Sequence, residues 1–203
     1  MQVTIRQESA YPDCGSVRLR LDPSRPATFP LILRIPDWAD SMKATVNGQP
    51  FDAPANGGTF LRIEREWRSG DTVGLRMPMP WRWIRGRKKQ EGRAALMRGP
   101  LLFCLSRARN FSVGEMDLSG ITIDPRSTSG PVADTTVRPN GLACRVKAWS
   151  PGQAISEPPD LDLTLTEFTD PDCEATYFRL SDDSLCKDDE LIRRRPRGTR
   201  SGR

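Results

Sequence analysis

The chain has 203 residues, of which 28% are charged and 36% hydrophobic, with a formal net charge of +5 and no histidine. That length suffices for one large or two small domains with a buried core. The missing histidine removes Ser-His-Asp and Cys-His catalysis together with the commonest metal ligand.

Period-two alternation dominates the first eighty residues and predicts strands with one wet face. In "SVRLRLD" Val17, Leu19 and Leu21 point one way while Arg18 and Arg20 point the other. The same pattern recurs at Leu31, Leu33 and Ile35, at Ala44 and Val46, at Leu61 and Ile63, and at Val73, Leu75 and Met77. Turn chemistry separates these strands: Asn47-Gly48 is a hairpin signal, because both residues tolerate positive φ, and Asn56-Gly57-Gly58 and Ser69-Gly70-Asp71 repeat it. Pro30 and Pro36 bracket a strand, and Trp38 behind Pro36 is placed as a cover over the sandwich edge.

From "MPMPWRWIRGRKKQEGRAALMRGPLLFCLSRARN" onward, strands are predicted at Ala94 to Met97, Leu101 to Leu105 and Leu142 to Trp149, then in "DLDLTLTEF" and "ATYFRL". Residues 126 to 140 and 150 to 160 read as loops, and no long segment has helical periodicity. The expectation is an all-β chain with two consecutive antiparallel, jelly-roll-like β-sandwich domains, residues 1–80 and 81–192. The last strands of the second are free to return to the first. Residues 193–203 form a disordered basic tail.

The tail, "RRRPRGTRSGR", carries six arginines (Arg193, Arg194, Arg195, Arg197, Arg200, Arg203) and no acid. It accounts for the excess of 31 basic over 26 acidic residues. The rest is close to neutral, which disfavours nucleic acid as a partner of the body and leaves only the tail for it. The odd, widely spaced cysteines (Cys14, Cys104, Cys144, Cys173, Cys186) form neither a disulfide framework nor a zinc ribbon. Cys104 and Cys144 read as small core hydrophobes, and a Cys173–Cys186 bridge is an open alternative. No cofactor or metal site is indicated. Without an apolar span or signal segment, the chain as written is expected in the cytoplasm, with no membrane contact.

Trp81 and Trp83 stand two apart on a strand, so both rings share one face. They could stack on sugar rings as a carbohydrate-binding surface with Arg82 and Arg85 beside them, or they could fill the junction between sandwiches. The basic run Arg82, Arg85, Arg87, Lys88, Lys89 and Arg93 reads as an anion-holding strip or a solvated loop. A glycosidase needs two carboxyl groups about 5–10 Å apart. The available sets, Glu64 with Glu66 and Asp182, Asp183, Asp188 and Asp189, read more simply as surface charge, so no catalytic residue is assigned.

Four segments in order resemble the C-terminal, non-catalytic part of glycoside hydrolase family 127, the β-L-arabinofuranosidase-like proteins of bacteria. They are "YPDCGSVRLRL", "FPLILRIPDWADSMKATVNGQP", "GTFLRIEREWRSGDTVGLRMPM" and "LMRGPLLFCL". The resemblance covers about residues 9 to 106. Where the family has a glutamate after the Cys-Leu pair, this chain has Ser106. The resemblance implies an (α/α)6 barrel, carrying a zinc-bound cysteine nucleophile and a glutamate acid/base, followed by two β-sandwiches. The barrel has no counterpart here, so none of its catalytic or zinc residues maps onto this sequence. The expectation is an inactive sandwich portion whose partner is a separately encoded barrel, from a truncated reading frame or a split enzyme. The arginine tail reads as a short out-of-frame extension.

Overall fold

In the computed structural model, described for residues 1–52 and 56–188, every strand expected before residue 80 is present. The strands are β1 (Val3–Ser9), β2 (Ser16–Pro23), β3 (Ala27–Arg34), β4 (Lys43–Val46), β5 (Gln49–Phe51), β6 (Phe60–Trp67) and β7 (Asp71–Arg76). Five of them form a sheet in the order β1-β2-β7-β4-β5, and β3 pairs with β6 in a second, two-stranded sheet. Leu19, Leu21, Ala44, Val46 and Val73 on the first sheet and Leu31, Leu61, Ile63 and Trp67 on the second share one buried cluster. That is the physical content of the alternation: β2, β3, β4, β6 and β7 turn their apolar rows inward, while Arg18 and Arg20 of β2 and Arg62 of β6 point outward.

Asn47 and Gly48 sit at φ 51° and 80°, which makes the β4–β5 turn. The Asn47 side chain also accepts from the Thr72 N–H (2.8 Å) and donates to Asp71 (2.8 Å), tying that turn to β7. Trp38 is half-buried against the cluster and stacks with Tyr11 at 6.4 Å, so it covers the sandwich edge as expected. β1 carries no buried side chain and escapes any reading by alternation. It is an edge strand held through its backbone to β2, with Arg6 and Glu8 blunting the edge against further pairing.

The remaining strands are β8 (Trp81–Arg85), β9 (Ala94–Arg98), β10 (Leu101–Leu105), β11 (Thr122–Ala133), β12 (Leu142–Trp149), β13 (Leu161–Glu167), β14 (Arg179–Leu180) and β15 (Cys186–Lys187). They form one ladder in the order β14-β11-β12-β13-β10-β9-β8-β15. Its long pairings are antiparallel, and the two short outer ones, β14 with β11 and β15 with β8, are parallel. The ladder bends back on itself, because Trp83 at one end donates its indole N–H to Thr128 Oγ1 on β11 near the other (3.1 Å). Between the facing halves lies a second cluster that includes Phe103, Leu105, Ile121, Ile123, Val146, Leu163, Leu165 and Phe178.

One expected loop is instead a strand. β11 runs on to Ala133, through residues read as loop, with register shifts between Asp124 and Ser129 and again between Ser129 and Val132. Bulges break the two-residue period, so the polar sequence shows no alternation although the backbone still pairs with β12. Conversely, "ATYFRL" yields only the two-residue β14 and isolated bridges at Ala175 and Phe178. Among the described residues the only helical elements are three-residue 3-10 turns, and no helix is long and apolar enough to cross a membrane. The arginine tail lies outside the described residues.

Candidate functional site

The tryptophans of β8 occupy the interior of the second cluster. Trp83 is 4% exposed, meets Phe178 edge-on at 6.4 Å and satisfies its N–H on Thr128. Trp81 is half-buried, sits edge-on to Phe103 at 4.8 Å and donates to the Gly130 carbonyl (3.2 Å). The shared face expected from their spacing is therefore the core-facing side of the strand, and Trp83 presents no ring face to a ligand. Arg82 points to the opposite side, is also 4% exposed, and donates to the Gly99 carbonyl at 2.8 Å. Burial lowers its pKa, and Asp40 of the first sandwich opposes that shift. Arg82, not the tryptophans, faces the junction.

A second group at the junction has no sequence signature. Glu167, at the end of β13, is 2% exposed. It accepts from Arg138 Nε (2.6 Å), from Arg138 Nη2 (2.7 Å) and from the Leu142 N–H (2.9 Å). The same Nη2 reaches Asp13 Oδ1 at 2.5 Å, and Arg98 donates to the Asp13 carbonyl at 3.0 Å. Both acceptors raise the Arg138 pKa. Arg138 lies in a polar loop far in sequence from both carboxylates, so no spacing rule could reveal the group.

The paired carboxylates are surface charge with arginine partners. Glu64 pairs with Arg62 at 2.7 Å and Glu66 with Arg68 at 3.3 Å, both on exposed side chains. Asp183 and Asp188 both approach Arg85 of the basic run, at 3.4 and 3.7 Å, while Asp189 lies outside the described residues. Asp182 accepts from Ser184 and from Arg126 (2.6 Å), which hold its pKa down to about 2. A carboxyl depressed in the folded state contributes stability that is present above its unfolded pKa, near 4, and lost as pH falls through the folded value. The urea midpoint is therefore expected to drop between about pH 4 and 2, with a shallower drop in Arg126→Gln. An identical slope in that variant would remove Asp182 from the account.

All five cysteines are free thiols. Burial pushes Cys144 up to about 12 and raises Cys104, which lies against Thr166 and the Glu167 carbonyl. Neither is a usable nucleophile at neutral pH, since the thiolate is the reactive form. Iodoacetamide at pH 8 is expected to spare Cys104 and Cys144 until denaturant is added. Peptide mapping that finds either one labelled in the folded protein would contradict their burial. Ser106 is fully buried, and its hydroxyl finds no partner among the described residues.

Compared with known proteins, residues 1–79 match the family described as the β-L-arabinofuranosidase, GH127 middle domain. The likeness to a GH127 middle domain is carried by this segment. The non-reducing end β-L-arabinofuranosidase of Bifidobacterium longum subsp. longum is 30% identical over 117 residues, which is 53% of this chain and 17% of that protein. A GH127 β-L-arabinofuranosidase from Geobacillus stearothermophilus T6 superposes with a TM-score of 0.71 at 25% identity, over 88% of this chain and 30% of its own. A third protein, also a GH127 β-arabinofuranosidase, gives 0.71 at 22% identity over 92% and 33%, a likeness of fold alone. This chain thus spans about a third of these solved enzymes and less of the curated relative. Its residues do not fit the zinc chemistry that the resemblance implies for the barrel. Among the described residues no three Cys, Asp or Glu side chains are arranged to hold a metal ion, so no catalytic step is derived through one.

Proposed function

We propose that this chain is the non-catalytic β-sandwich portion of a GH127-type β-L-arabinofuranosidase, and that it acts by docking on a separately encoded catalytic barrel and buttressing it. The observation that carries this reading is the pairing of a middle-domain match over residues 1–79 with a superposition that covers most of this chain but only 30% of the enzyme from Geobacillus stearothermophilus. Its internal chemistry agrees: Cys104 and Cys144 are buried, and the carboxylates Glu64, Glu66 and Asp182 are tied to arginines.

Co-expression tests the proposal. The chain is produced with the polypeptide encoded immediately upstream, and the two are purified through a tag on one of them. A complex that hydrolyses an aryl β-L-arabinofuranoside faster than the upstream polypeptide alone is expected. Separate elution with unchanged activity would remove the docking role.

A further inference from the structure

The outward face of the five-stranded sheet carries a groove that the docking role does not use. Its floor is Gly74 of β7. On the row through Gly74, the register places Glu8 opposite Arg18, Arg18 opposite Gly74, and Gly74 opposite Thr45. One step along, Ser16 stands opposite Arg76 and Arg76 opposite Lys43. These residues line a cavity of about 720 Å³, within the range of about 300–1,000 Å³ usual for small-ligand sites.

Two observations set this face apart. Lys43 and Arg76 are like charges directly opposite each other on neighbouring strands, an arrangement that destabilises a sheet. Arg18 lies one row away, and none of the three cations makes an ion pair among the described residues. On the same face Arg20, by contrast, is matched by Asp22 at 3.1 Å. The second observation is the floor. A Cβ on Gly74 would lie 2.7 Å from Thr45 Oγ1, and without one the sheet leaves room for a flat ring above the backbone.

We infer that this groove binds an oligosaccharide of uronic acids, with Arg18, Arg76 and Lys43 holding its carboxylates. Strand spacing of about 4.8 Å and a two-residue step of about 6.8 Å spread the backbone positions of the three cations over the length of a short oligosaccharide. Ser16 and Thr45 offer hydroxyls, and Glu8 on the rim accepts from sugar hydroxyls. Charge complementarity selects the anion, and this mixture of cation and hydroxyl selects a carboxylated sugar. The inference does not rest on the docking role: the groove is complete within residues 1–79, so it binds whether or not a barrel assembles.

The test is calorimetric titration of the full chain with tetragalacturonate at low salt. Saturable binding is expected. It should weaken about tenfold, about 1.4 kcal/mol, in Arg76→Gln and again in Lys43→Gln, and it should be blocked by Gly74→Val. Arg20→Gln, on the same face but already matched to Asp22, should leave it unchanged, as should deletion of residues 193–203. The fully methyl-esterified oligomer should not bind. The inference is overturned by the absence of saturable binding, or by binding that survives the groove variants and disappears with the tail. It is equally overturned if a single-stranded oligonucleotide or a polyglutamate peptide binds more tightly at the groove. If Arg76→Gln breaks a complex with the barrel while the free chain takes no galacturonate, the face belongs to the barrel and the inference fails.

Discussion

Replacing Trp83 with alanine is expected to cost about 3–5 kcal/mol of folding stability, the usual range for emptying a buried aromatic site. The cost has three named sources. The ring is 4% exposed and fills the space between the facing halves of the bent ladder. It meets Phe178 edge-on, and its N–H bond to Thr128 is one of the side-chain links between β8 and β11. Removing it leaves a cavity, an unpaired aromatic edge and a hydroxyl that keeps only its bond to the Pro125 carbonyl. Trp81→Ala should cost less, because that ring is only half-buried. Urea melts followed by near-UV circular dichroism separate the two variants. A Trp83→Ala protein as stable as the parent, but altered in binding to neutral glycans, would restore the sugar-stacking reading of this strand and refute the packing one.

The second large effect is expected at Arg138. Its guanidinium satisfies Glu167 through two hydrogen bonds, and Glu167 is 2% exposed. Arg138→Ala strands that carboxylate away from water, with only the Leu142 N–H left to it, and the loss should be about 3 kcal/mol. Asp13→Asn removes only the partly exposed arm of the group and should cost about 1 kcal/mol or less. The decisive measurement is the double variant Arg138→Met with Glu167→Leu. If the single-variant loss comes from an uncompensated buried charge, removing both partners should recover most of it. A double variant as unstable as Arg138→Ala would place the effect in packing.

Trp83 links β8 to β11 and Arg138 links the β11–β12 loop to β13, and neither contact could be set out from sequence in full. The spacing of Trp81 and Trp83 fixes that their rings share a face, because a strand repeats every two residues. It does not say which face, since both sides of β8 are covered: the second cluster takes the tryptophans and the junction takes Arg82. Glu167 ends a clearly alternating strand, yet its partner comes from a polar loop with no pattern of its own. Side chains brought together across long separations leave no local periodicity to read.

What this sequence by itself determined is local and periodic: the strands of the first eighty residues, their inward and outward rows, and the Asn47-Gly48 turn. The order of segments around Pro36, Trp38 and Cys104 was enough for its family likeness. These follow from near-neighbour sterics and from the rule that one face of each strand must leave water. The tertiary structure alone decided the edge strand β1, which buries nothing, and the bulged β11, whose extra residues erase the period. It also decided that β8 turns its tryptophans inward, and that Arg18, Arg76 and Lys43 converge on one face over Gly74. Register between strands distant in sequence is set by the summed burial of whole rows, so which charges end up opposite one another exists only once the sheet has formed.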